Sequence, residues 1–128
     1  MDELAARQYV FHILVGAWVF SVGATVGSFL NVVVYRLPAG KSLVRPGSRC
    51  PKCNNPIRPI HNIPILGWFI LRGRCWDCGL PISPRYPLVE TLVALAFLLL
   101  AVCELLTQGA NLPVRDPAAV MYWGRLWA

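Results

Sequence analysis

Charge and hydropathy divide the chain into blocks. From Tyr9 to Val34 it reads YVFHILVGAWVFSVGATVGSFLNVVV, 26 residues without a formal charge. About 20 helical residues cross the hydrocarbon core of a bilayer, so this run predicts a transmembrane helix over 9–34 with length to spare for tilt. A second run, PLVETLVALAFLLLAVCELL, covers Pro87–Leu106. Its uncharged centre, Thr91–Cys103, spans only 13 residues, a length that also suits a buried core helix. Glu90 and Glu104 bracket that centre and would stand about 21 Å apart along a helix, near the two interfaces of a bilayer. The run therefore predicts a second transmembrane helix over 87–106. Glu90 would also lie in the first turn after Pro87, where an acidic group suits the helix dipole.

The segment between the runs, 35–86, has neither period. Pro38, Pro46, Pro51, Pro56, Pro59, Pro64, Pro81, Pro84 and Pro87 punctuate it and its exit. That density excludes a long helix or a central strand. Inside it, IPILGWFIL (Ile63–Leu71) is too short to span. It suits either a small core or a segment lying in the lipid interface with Trp68 as anchor, and the membrane-bound flanks favour the second. Residues 107–128 read as a polar tail.

Composition agrees with a membrane protein of one small unit. Of 128 residues, 56% are hydrophobic and 14% charged, with mean hydropathy +0.54; soluble domains carry about 25% charged residues. A cleaved signal peptide is disfavoured, because the chain opens on acidic MDE, the first run is too long and no A-x-A site follows it. The net charge of +6 is concentrated in the loop, which holds Arg36, Lys41, Arg45, Arg49, Lys52, Arg58, Arg72, Arg74 and Arg85 against the single acid Asp77. The flanking segments hold only Arg7, Arg115 and Arg125 as bases. The positive-inside rule then predicts a cytoplasmic loop with both termini outside, and an extracytoplasmic tail over 107–128. Topology accounts for the basic bias, and aromatics are not regularly interleaved with the basics, so no nucleic-acid partner is expected.

Chemistry enters through a repeat. RCPKCNNPIRP (Arg49–Pro59) and RCWDCGLPISP (Arg74–Pro84) share the pattern R-C-x-x-C-x-x-P-I-x-P. Each C-x-x-C turn sets two sulfurs on one edge, and two facing turns complete a tetrahedral thiolate set for zinc at about 2.3 Å. The metal ligands are therefore Cys50, Cys53, Cys75 and Cys78. Gly79 permits the open backbone of such a turn, and Arg49 and Arg74 suit the excess negative charge of four thiolates. Disulfides conflict with a reducing cytoplasm, and redox chemistry needs only one pair. His61 is an alternative ligand but reads better as a surface residue, and Cys103 as a small apolar filler.

Gly16, Gly23 and Gly27 mark one face of the first helix, the last two as G-x-x-x-G. Such a face allows close helix approach in lipid, either to the second helix or to a partner membrane protein. Ser28 and Asn31 add polar groups near the same end.

Taken together, GSFLNVVVYRLP (Gly27–Pro38), the cysteine pairs, LRGRC (Leu71–Cys75) and RYPLVE (Arg85–Glu90) resemble the amino-terminal part of bacterial type IV prepilin leader peptidases, of the peptidase A24 family, over about residues 15–106. The resemblance implies a multi-pass inner-membrane protein of a pathway in which pilin and type II secretion pseudopilin leaders are cleaved and the new terminus is N-methylated. It implies zinc on Cys50, Cys53, Cys75 and Cys78. It also links the loop to methyl transfer, at Gly73 and Arg74, with S-adenosylmethionine as methyl donor. Proteolysis in that family uses two aspartates on later transmembrane helices, one in G-x-G-D, and paired carboxylates activate water by sharing a proton. This sequence has only Asp2, Asp77 and Asp116, and no G-x-G-D.

The expected fold is thus a mostly α membrane protein, with two transmembrane helices flanking a proline-rich, zinc-stapled irregular cytoplasmic loop. The expected function is that of the amino-terminal module of a prepilin peptidase, either truncated or acting with a separate catalytic transmembrane chain, for which the G-x-x-x-G face would be the dock. The alternative is a non-catalytic membrane adaptor whose zinc loop binds a partner protein.

Overall fold

The structure is a computed structural model, and it describes residues 3–106. The expected tail, with Asp116, and the amino-terminal Asp2 lie outside the described residues. The described chain is mostly helical. Helix α1 runs unbroken over Glu3–Arg36 and helix α3 over Arg85–Leu106, with the short helix α2, Leu66–Ile70, between them. A 3-10 turn covers Pro59–Asn62. Among the described residues there is no strand, only two isolated antiparallel bridges, Arg49 to Pro56 and Arg74 to Pro81. Both long helices are apolar and long enough to cross a membrane.

Contacts between α1 and α3 run in opposite senses along the two helices, so they form an antiparallel hairpin. A Cβ built on Gly16 would lie 3.7 Å from Leu98, one on Gly23 2.8 Å from Ala94 Cα, and one on Gly27 2.7 Å from Glu90 Cα. Nearer the loop, Asn31 Nδ2 donates to the Tyr86 carbonyl at 3.2 Å. The last two glycines admit no side chain because they meet backbone on the facing helix. The G-x-x-x-G face is therefore filled by α3. A partner dock on that face is corrected by this packing, since the surface offered for it is already buried.

The seam consists of small residues, with Ala94 fully buried and Ala24 4% exposed. Large side chains face outward, Trp18 at 68% and Leu100 at 69% exposure. A water-soluble hairpin would bury its bulk, whereas helices in lipid gain by close backbone approach and lose nothing by exposing Leu. Three hydroxyls within the runs are satisfied locally. Ser21, Thr25 and Thr91 donate to the carbonyls of Ala17, Ser21 and Pro87, four residues back.

Trp68 corrects its expected place as an interfacial anchor. Its indole Nε1 donates to the Ile82 carbonyl at 3.0 Å, and its ring covers Gly73. The large apolar side chains left outward on this segment are Ile63, Leu66, Phe69 and Ile70. An indole N–H removed from water needs an acceptor, and the carbonyl of Ile82 supplies it inside the loop.

Candidate metal centre

The repeated sequence folds as a repeated turn. Cys50 N–H donates to Asn55 O at 3.0 Å, Asn54 N–H to Cys50 O at 2.9 Å, and Ile57 N–H to Ser48 O at 2.9 Å. The second copy reproduces all three: Cys75 to Leu80 at 2.8 Å, Gly79 to Cys75 at 3.0 Å, and Ile82 to Gly73 at 2.7 Å. Each turn needs a left-handed residue four positions after its first cysteine. Asn54, with φ 57°, and Gly79, with φ 69°, provide it; these residue types tolerate that conformation best.

The turns face each other so that the sulfurs of Cys50, Cys53, Cys75 and Cys78 all lie within 4.8 Å of one another. Cys50 Sγ and Cys78 Sγ are 3.6 Å apart. A disulfide would need about 2.05 Å, whereas tetrahedral zinc with Zn–S near 2.3 Å puts neighbouring sulfurs about 3.8 Å apart. Four thiols at this spacing could hold a metal ion and fit zinc. His61 is not in the group; its ring lies 5.2 Å from that of Trp76. Cys103 sits on the exposed face of α3, away from the cluster.

The cluster is electrostatically poised. Backbone N–H groups of Cys53 and Lys52 aim at the Cys50 sulfur and hold its pKa down at about 6, against 9.0 for an ordinary thiol. For Cys53 the Asn55 N–H favours the thiolate. Desolvation and the neighbouring sulfurs of Cys50, Cys78 and Cys75 together outweigh it and push the thiol up to about 12. Crowded sulfurs cannot all carry charge without a cation among them. Arg49 does not lie free over the thiolates; its Nη1 donates to Asn54 O at 3.2 Å and braces its own turn.

The metal module is joined to the hairpin at one point that sequence reasoning missed. Glu90, 8% exposed, accepts the backbone N–H of Ile65 through Oε2 at 2.6 Å. Ile65 has φ 64° and ψ −58°, and Leu66 N–H returns to Pro64 O at 2.6 Å. This is a tight γ-turn of the rare, strained kind. It leads directly into α2, where Gly67 abuts the carbonyl of His61 so closely that no Cβ fits. An acid inside an apolar run was the available signal, but nothing in the sequence points to Ile65.

Gly73 has φ 68°, and a Cβ there would fall 2.8 Å from Trp68 Cζ2. Arg74 is exposed beside it. Between the module and the loop end of the hairpin is a cavity of about 410 Å³. Ser28, Asn31 and Glu90 line its hairpin side, and Cys50, Cys75, Trp68 and Trp76 its module side.

Comparison with known proteins agrees with this architecture. A family model described as the bacterial peptidase A24 N-terminal domain matches residues 21–103. A prepilin leader peptidase/N-methyltransferase of Myxococcus xanthus is 54% identical over 84 residues, covering 66% of this chain and 25% of that protein. One from Klebsiella pneumoniae is 47% identical over 105 residues, covering 77% of the chain and 45% of the relative. A type 4 prepilin-like proteins leader peptide-processing enzyme of Escherichia coli O78:H11 is 47% identical over 95 residues, covering 60% and 35%. The chain thus spans between a quarter and under half of these curated relatives' length. No solved structure matches the chain significantly.

Proposed function

Given that the chain belongs to the bacterial peptidase A24 N-terminal domain family, we propose that it is a membrane-anchored, zinc-clasped module for prepilin or pseudopilin leader processing and N-methylation. The supporting observation is one arrangement. Four sulfurs gather over the loop end of an apolar hairpin, and the intervening cavity is lined by both. A cation held by four thiolates has no open coordination position, so zinc on Cys50, Cys53, Cys75 and Cys78 would shape the module rather than touch substrate. The nine-to-one basic bias of 35–86 supports a cytoplasmic loop of an inner-membrane protein, with both ends of the chain outside.

Within this reading, methyl transfer takes place at the cavity, with S-adenosylmethionine as donor. Gly73 serves it indirectly, since its missing side chain lets the Trp68 indole form the cavity wall. Arg74, exposed at the head of the second turn, is available to a passing leader or donor. Peptide hydrolysis in this reading belongs to aspartates outside the described residues, since Asp77, exposed between two metal ligands, is the single aspartate among them and an aspartate pair shares the proton. Those carboxylates would act from a longer form of the chain or from a separate transmembrane chain.

The test is co-expression with a prepilin and a transmembrane chain carrying the G-x-G-D aspartates, followed by mass spectrometry of the pilin terminus. The expected product is shortened and methylated, and the methyl mark disappears in Gly73→Val while cleavage persists. An identical product with and without this chain would overturn the proposal.

A further inference from the structure

The cavity holds one group that the reading above leaves without a role. Glu90 gives Oε2 to the Ile65 N–H, and its other oxygen accepts no hydrogen bond among the described residues. A carboxylate withdrawn from water is costly unless it is paired, and one amide compensates only in part. The guanidinium groups that share the lining do not pair with it. Arg36 donates to the Ser42 and Gly47 carbonyls, Arg49 to Asn54, and Arg58 lies 5.4 Å over the Trp76 ring. The same cavity is lined in part by aromatic side chains, Trp68, Trp76, Tyr35 and Tyr86. Aromatic faces attract alkylated cations, most strongly away from bulk water.

We propose that this cavity binds an onium group, the ammonium or sulfonium of a ligand, whose charge is balanced by Glu90. A cavity of about 410 Å³ is within the range that holds a small molecule or a peptide terminus. The inference rests on the N-methylation reading only for the sources of the cation, since a methyl acceptor carries an amine and a sulfonium donor carries its own charge. Binding alone is claimed, with no bond made or broken.

The experiment uses the zinc-loaded full chain in lipid nanodiscs and two matched probe pairs, read by calorimetry. One pair is a short apolar peptide amide with a free α-ammonium and its N-acetylated form. The other is S-adenosylmethionine and the uncharged thioether S-adenosylhomocysteine. The charged member of at least one pair binds at least about tenfold more tightly, as a charge-assisted contact implies. A preference in the first pair identifies the acceptor amine, and in the second the sulfonium donor. Glu90→Gln keeps an oxygen for the Ile65 N–H but removes the charge, so the preference falls to near unity with zinc content unchanged. Equal binding within both wild-type pairs overturns the proposal, as does a preference that survives Glu90→Gln. Neither outcome depends on pilin cleavage or methylation, so failure here and failure of the processing assay are distinct results.

Discussion

Glu90 and Ile65, 25 positions apart, meet through a 2.6 Å hydrogen bond that fastens the metal module to the first turns of α3. The bond joins a carboxylate on an apolar helix to the backbone of a strained turn, so each stabilises a feature that would be unfavourable alone. Glu90→Ala should release both. Hydrogen exchange across Leu66–Leu71 should accelerate, at a stability cost of about 1–3 kcal/mol. Unchanged protection of that segment would contradict the fastening role.

Hairpin closure depends on Gly23 and Gly27 rather than on Gly16. A Cβ at Gly27 falls 2.7 Å from backbone of the facing helix, whereas one at Gly16 meets a side-chain methyl at an ordinary 3.7 Å. Gly27→Ala should cost about 1–3 kcal/mol through overpacking, and Gly16→Ala should be nearly neutral. Detergent-induced unfolding of the two variants in parallel checks the contrast.

Cys53→Ser removes one of the four sulfurs and should abolish stoichiometric metal. Structural zinc contributes folding energy directly, so the loop should also become protease-sensitive between the two turns. Metal analysis of purified protein together with limited proteolysis decides it; full zinc content in the variant would refute the site.

In metal-free protein the two thiols of the first turn should titrate apart. The folded pKa of Cys50 is depressed to about 6, so its contribution to stability is present above 9.0 and is lost as pH falls through about 6. That of Cys53 is raised to about 12, so its contribution is present below 9.0 and is lost as pH rises through about 12. At neutral pH, alkylation should mark Cys50 before Cys53, as peptide mapping would show. Reaction in the reverse order would contradict the backbone N–H assignment.

Gly73→Ala should displace Trp68. The added methyl would press on the indole, and the left-handed backbone costs an L-residue a further ~1 kcal/mol or more. A red-shifted tryptophan emission and loss of the Trp68–Ile82 bond are expected. Emission like that of wild type would show that the ring is not held by this contact.

Much of this architecture was legible in the residues. Uncharged runs announce helices, because nothing else satisfies the backbone in lipid, and α1 and α3 contain them, each extended into polar sequence by a few residues. The cysteine spacing announced the cluster, because two sulfurs three positions apart must share an edge. The contacts of Glu90 with Ile65 and of Trp68 with Ile82 were not legible. Both pair a side chain with a backbone group, and a backbone group leaves no mark in residue identity. The destination of the glycine face was left open for a similar reason, since small residues signal close approach but not to what.

The duplicated turn bears on how the cradle assembles. Each copy closes through three short-range backbone bonds, within 48–57 and within 73–82, all internal to that copy. What remains is to bring the two jaws together across a tether of fifteen residues, 58–72, an entropic toll that grows only slowly with tether length. An arriving ion then has two locally closed pieces to bring face to face, while the stretch between them carries the anchor to α3 through the Ile65–Glu90 bond.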